Sequence, residues 1–581
     1  MPRPASRRSC LIDQVYEVRA GDFSRHLIDV ALHFSSRGAA SVVLRMPAWR
    51  PGRYSVQNFA GRVQEFSADG HRVTRVDKDA WRVDAAGAER LTVNYRCYAN
   101  ILDAGASMLD RDELYVNPIS VLMAVEGRLD EPALLRLDVP ANWRAAVPLD
   151  AVEDRAWRAR DYHELVDSPF VASPALVTRT FEEGGAIYHL DFQGSGNYDL
   201  DRITSDVTKI VGEQVRVMGG RPPVGEYRFL YHLLPEKFSH GVEHARGASM
   251  AIGPGDDFDQ EAFYDRFLSL TSHEFFHAWN VKRFRPDPMV PYDYWKEACT
   301  PLFWVAEGIT SYYGDLTLAR CGLWSRKRYF QALAEEIDAL RNSGGLPAVS
   351  LWDSSWDAWS AGYGSAPPTK SLSFYNKGEL VGLLLDLEIR RRSEGARSLD
   401  DVMRRLDATF GDGQRGYSEA DFEDACADAA GAPLRDFFDR CVRTPDPLPL
   451  EEALDELGLD LEVEHPADKI EARLGCHVDE RGAVSKVVAG SPAMEAGIEA
   501  GATLLAINGR KLNGAALPQT VKRLVSGDSA RLAWTFRGRH HDAALTVSEG
   551  LVSVYKIAPR EHMTPAQRRA LDDWLGGPQE G

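Results

Sequence analysis

The chain has 581 residues, enough for several domains with buried cores. Hydrophobic residues make up 44% and charged residues 27%, the balance of a soluble globular protein, and no run of about 18 apolar residues is present to span a membrane. A net charge of −18 argues against a nucleic-acid binder, which would normally carry a basic face, and points to solubility, or to attraction for a cationic group such as a free N-terminus.

The N-terminus, MPRPASRRSCLIDQVYEV, has basic residues with no apolar run behind them, so it does not read as a secretory signal. The 7 cysteines are odd in number and form no CxxC pair, which argues against a disulfide framework and a Cys-based zinc site. A cytoplasmic location is expected. From His26, HLIDVALHF alternates and puts Ile28, Val30, Leu32 and Phe34 on one face. LTVNYRCY repeats the pattern with Leu91, Val93, Tyr95 and Cys97. With turn signals such as Asp69-Gly70, this period of two predicts a β-sandwich-like domain over residues 1–170.

After Asp167-Ser168-Pro169 the pattern becomes helical. Helices are predicted over about Glu261–Val281, Leu302–Arg320 and Lys377–Arg392, ended by Pro286, Gly322 and Gly395 respectively. Ser398 with Asp401, and Ser418 with Asp421, are capping-box starts for two more. Residues 171–445 are therefore expected to form a mainly helical domain. Thr444-Pro445-Asp446-Pro447-Leu448-Pro449 reads as a linker. Short strands and glycine turns follow over 446–550, and a tail over 551–581 carries a final helix from about Thr564 to Leu575. The fold class is multidomain α+β.

The chemistry is concentrated in His273-Glu274-Phe275-Phe276-His277. Two imidazoles at i and i+4 on one helical face reach a single ion, while Glu274 points to the neighbouring side and can touch a water there without ligating. One Zn2+ suits this set, since it accepts imidazole and carboxylate and leaves a position for water. Glu307, in Trp304-Val305-Ala306-Glu307-Gly308, is an acid in an otherwise apolar stretch, which a metal would partner. Ser311 and Asp315 lie one and two turns beyond it and are candidates to orient an imidazole. Tyr375, just ahead of the third helix, offers a phenol hydroxyl to a tetrahedral oxyanion.

With HEFFHAWNVKRFRP (from His273), WVAEGITSYY (from Trp304), SFYNKGEL (from Ser373) and MPAWRPGRY (from Met46), the chain resembles the M61 glycyl aminopeptidases, relatives of the larger M1 aminopeptidases. The resemblance spans most of the first 445 residues. It implies a thermolysin-like gluzincin domain with metal ligands His273, His277 and Glu307, base chemistry by Glu274, and transition-state stabilisation by Tyr375. It also aligns Gly241-Val242-Glu243-His244 with the Gly-x-Met-Glu-Asn segment of M1 enzymes, Val and His replacing Met and Asn. That implies Glu243 on the substrate's α-amine and Gly241 giving its backbone room. Peptides with a free N-terminus and a small first residue, glycine or alanine, are the implied substrates.

The segments GSPAMEAG (from Gly490) and GATLLAING (from Gly501) resemble a PDZ domain, with Ala502 where an aspartate is common. Its carboxylate loop would be Arg473-Leu474-Gly475-Cys476, making Leu474 and Gly475 the contacts for a C-terminal peptide ligand. Two alternatives remain open: a PDZ-directed zinc endopeptidase, which requires Glu243 to lie away from the cleft, and a catalytically silent PDZ-bearing interaction protein, against which the intact constellation argues.

Overall fold

A computed structural model describes residues 12–343, 348–364, 366–367, 370–466, 469–479, 481–512, 520–548 and 550–577; the basic N-terminal segment and Cys10 lie outside them. The chain divides into two compact units. The first holds residues 1–302, 313–323 and 397–433, and the second holds 303–312, 324–396 and 434–581.

In the first unit the two alternating segments become neighbouring strands, Leu27–Ser35 and Arg90–Tyr98. They pair antiparallel with Ile28 opposite Cys97, Val30 opposite Tyr95, Leu32 opposite Val93 and Phe34 opposite Leu91. All of these are buried, so the predicted stripes are one shared core face. The pair lies inside a seven-stranded sheet, and two four-stranded sheets complete the β-rich first part. Three buried tyrosines hold the loop at 121–123: the hydroxyls of Tyr16, Tyr95 and Tyr162 donate to the carbonyls of Met123, Val121 and Leu122.

A five-stranded mixed sheet follows, in the order Val177–Glu183, Ala186–Gln193, Glu226–Leu233, Gly247–Gly253, Phe238–His244. The sequence pattern left these strands unassigned. Gly247–Gly253 is buried throughout and Glu226–Leu233 nearly so, and a strand covered on both faces shows no alternation. Phe238–His244 is the edge strand, antiparallel to its neighbour with Gly241 opposite Met250 and Glu243 opposite Ala248. The helices Leu399–Phe410 and Glu419–Ala430 start at the predicted capping boxes, where Asp401 and Asp421 accept the Ser398 and Ser418 N–H groups at 2.9 Å.

The second unit opens with a π-helical turn, Trp304–Gly308, leading into the helix Ile309–Arg320. The turn packs on the helix Asn376–Arg392 through glycines: a Cβ on Gly308 would strike the backbone of Gly378. A separate apolar core, including Leu474, Cys476, Leu504, Leu532 and Trp534, forms the C-terminal β module. Strand Leu459–Glu464 enters this module and pairs antiparallel with Val554–Pro559, which leaves it. The final helix, Pro565–Leu575, falls within the predicted span and is capped by Thr564 and Gln567. No helix among the described residues is long and apolar enough to cross a membrane. The described cysteines are free thiols.

Candidate active site

The helix Glu261–Phe276 carries His273 and Glu274, and His277 occupies its closing position. The predicted extension to Val281 does not form. Instead the chain turns back: Lys282 N–H reaches the His277 carbonyl at 3.1 Å, Asn280 N–H reaches Phe276 at 3.2 Å, and Trp279 meets the Phe275 ring edge-on. The turn sets the tautomer of His277. Its Nδ1 lies 2.8 Å from the Asn280 carbonyl, which only accepts, so Nδ1 carries the proton and Nε2 keeps its lone pair. That Nε2 lies 3.1 Å from Nε2 of His273. Two ring nitrogens so close, one with its lone pair fixed outward, suit a shared tetrahedral cation, whose neighbouring ligand nitrogens stand ~3.3 Å apart. The helix is held from behind. Gln214 donates to the Ser272 carbonyl at 2.7 Å, and the Ser272 hydroxyl donates to Gly314 at 2.7 Å. Asp315, a candidate to orient an imidazole, accepts from Ser269 at 2.7 Å.

The edge strand brings two predicted residues to this helix. Gly241 and Glu243 are two apart and share a face. A Cβ on Gly241 would collide with the Glu274 carboxylate, so glycine here is a requirement of close approach. Donor atoms of Glu243, Glu274 and His277 lie within 4.8 Å of one another. Glu243 is buried, and its Oε1 has no hydrogen-bond partner among the described residues. An early loop closes the other side: Gly52, at φ 78°, has its backbone against the Glu243 carboxylate. Arg50, two residues before it, is buried within electrostatic reach of His240 on the same strand as Glu243. Burial, then Arg50, push the His240 ring down to about 4.

A second polar cluster escaped the sequence reading. Asp167 accepts from Lys282 at 2.9 Å, from His244 at 3.1 Å and from the Ala245 N–H at 2.8 Å. Burial alone would raise the Asp167 carboxyl; the Lys282 ammonium and the His244 ring overcome it and hold the acid far below its usual range. Little in the sequence signals this cluster, since Lys282 stands beside Arg283 in a stretch that also holds Asn280 and Arg285.

Glu307 sits buried in the π-helical turn. Tyr375 precedes the helix Asn376–Arg392 and stacks on Phe374 at 4.9 Å. In the C-terminal module Leu474 is fully buried in the core, and the Gly475 N–H is taken up by the Glu471 carbonyl at 3.0 Å.

Comparison with known proteins fits this geometry. Residues 15–174 match the Peptidase M61 N-terminal domain, residues 266–381 the M61 glycyl aminopeptidase, and residues 483–534 a PDZ domain. No curated protein sequence shows a significant match. Among solved structures, an aminopeptidase N family protein from Idiomarina loihiensis is 27% identical with a TM-score of 0.88, covering 97% of this chain and 100% of its own. An M1 zinc metallopeptidase from Deinococcus radiodurans is 16% identical with a TM-score of 0.48, covering 76% of this chain and 95% of its own. The paired imidazoles, the neighbouring acids and the matched domains identify the chain as a metallo-aminopeptidase of the M61 type carrying a PDZ domain.

Proposed function

We propose that the chain is a zinc aminopeptidase that removes small first residues, glycine or alanine, from peptides with a free N-terminus. The observation that carries this reading is the convergence of donors within the first unit: the Nε2 atoms of His273 and His277 lie 3.1 Å apart, and one donor atom each from Glu243, Glu274 and His277 lies within 4.8 Å of the others. His273, His277 and Glu307 would hold the ion, which supplies Lewis acidity toward a carbonyl oxygen and a water.

The remaining work belongs to side chains of this chain. Glu274 takes a proton from the attacking water and returns it to the leaving amine. Glu243 binds the substrate's α-ammonium through its open, buried carboxylate oxygen, a charge-assisted contact. Gly241 lets the Glu274 carboxylate approach the edge strand, along whose backbone an extended substrate can lie. Tyr375 donates its hydroxyl to the developing oxyanion. The closeness of Glu243 to Glu274 supports removal of one terminal residue over cleavage within a chain. The PDZ module is assigned the C-terminal end of a peptide, as such domains bind extended segments.

The test compares glycyl, alanyl and leucyl chromogenic amides with the same compounds acetylated at the N-terminus. Acetylation is expected to abolish turnover, with glycyl and alanyl amides preferred over leucyl. Undiminished cleavage of the acetylated series would remove the aminopeptidase reading and leave an endopeptidase.

A further inference from the structure

The Glu243 carboxylate has a rival for its cation within the protein. Lys282 follows the metal-site helix by one short turn, is only 6% exposed, and is close enough to Glu243 for the two charges to couple. A lysine ammonium on a flexible four-carbon stem, shut away from water, must rest against an anion. One oxygen of Glu243 is buried and makes no hydrogen bond among the described residues. An internal salt bridge there would occupy the place the substrate's α-ammonium needs.

Asp167 offers Lys282 a different anion. It terminates the short helix Tyr162–Val166 and projects one oxygen to Lys282 at 2.9 Å. The same carboxylate takes His244 at 3.1 Å and the Ala245 N–H at 2.8 Å, so it is fixed to the strand end just after Glu243. Lys282 is thereby tied to an anion that cannot move toward the site. We infer that Asp167 is a positioning residue that sequesters the Lys282 ammonium and so keeps the Glu243 carboxylate free for the substrate's amine. The inference rests on the aminopeptidase reading above.

The experiment measures KM and kcat for a glycyl chromogenic amide in Asp167→Asn, Lys282→Met and the double variant, with zinc content and thermal midpoint alongside. Asp167→Asn is expected to raise KM about tenfold or more with kcat less affected, because the freed ammonium then competes for a charge-assisted contact. Lys282→Met and the double variant are expected to keep KM near the wild-type value, since the competitor is gone. Rescue by removing a second group separates sequestration from a merely structural role, which the double variant would not repair. A double variant with KM as high as Asp167→Asn, or an Asp167→Asn protein with unchanged KM, would overturn the inference. If Asp167→Asn does not fold, the double variant decides alone: KM near wild type supports the inference, and a raised KM overturns it. The two readings fail separately. Wild-type cleavage of N-acetylglycyl amide removes the aminopeptidase reading, whereas a strict need for the free amine with the same KM in every variant removes only the role of Asp167.

Discussion

A carboxylate beside a metal site acts as ligand or as base, and its place on the helix separates the two roles. Glu274 follows His273 directly, so it is turned about 100° from that imidazole and faces the edge strand, where Gly241 makes room for it. It lies near Glu243 and His277, with its carboxylate against the Gly241 backbone. Replacing it with glutamine preserves size and hydrogen bonding while removing the basic oxygen. Glu274→Gln is expected to bind zinc in wild-type amount and to lose at least ~100-fold in kcat, the scale of general-base catalysis. Metal analysis of the purified variant beside its kcat checks both halves. A variant that lost zinc would make Glu274 a ligand, and one that stayed active would end its role as base.

The elements hold these residues through contacts that periodicity does not encode. His273, Glu274 and His277 were legible as candidates from their spacing on one helical face, and Glu307 because an acid in an apolar stretch needs a partner. The end of the His helix was not, because nothing in Ala278-Trp279-Asn280 forbids another helical turn; the hydrogen bond from His277 Nδ1 to the Asn280 carbonyl and the Trp279–Phe275 contact form only in the folded chain. The five-stranded sheet was hidden for a different reason, its central strands being buried on both faces. The π-helical turn at Glu307 depends on a tertiary contact, Gly308 against Gly378. Adding one methyl at that contact pushes two backbones apart. Gly308→Ala is therefore expected to cost about 1–3 kcal/mol of stability and to weaken zinc binding, since the displaced turn carries Glu307, the proposed third ligand. Chemical denaturation and zinc titration against a competing chelator measure the two effects; a variant with wild-type values in both would show that the helices separate without strain.

Trp574 stands close to the C-terminus, yet its duty lies in the catalytic part of the sequence. It is fully buried in the final helix, and its indole N–H donates to the Tyr312 hydroxyl at 2.9 Å. Tyr312 in turn donates to Asp386 at 2.7 Å, within the helix that begins just after Tyr375. Arg326 reaches the same terminal helix through Asp572 at 2.8 Å. Tyr312 stands five residues beyond Glu307, in the helix that continues the π-helical turn, so the C-terminal helix braces the segment that carries the proposed third ligand. The PDZ segment is thus an insertion between elements that belong to one core, with the ladder of Leu459–Glu464 and Val554–Pro559 closing its base. Trp574→Ala removes a large buried ring and leaves the Tyr312 hydroxyl without that donor; a loss of about 3–5 kcal/mol is expected. The effect should extend to function, with lower zinc affinity and a kcat/KM that recovers in part at high zinc, because binding the ion favours the native arrangement. Denaturant unfolding with and without added zinc tests this, and a Trp574→Ala protein with wild-type zinc affinity would show that the terminal helix supports the fold without supporting the metal site.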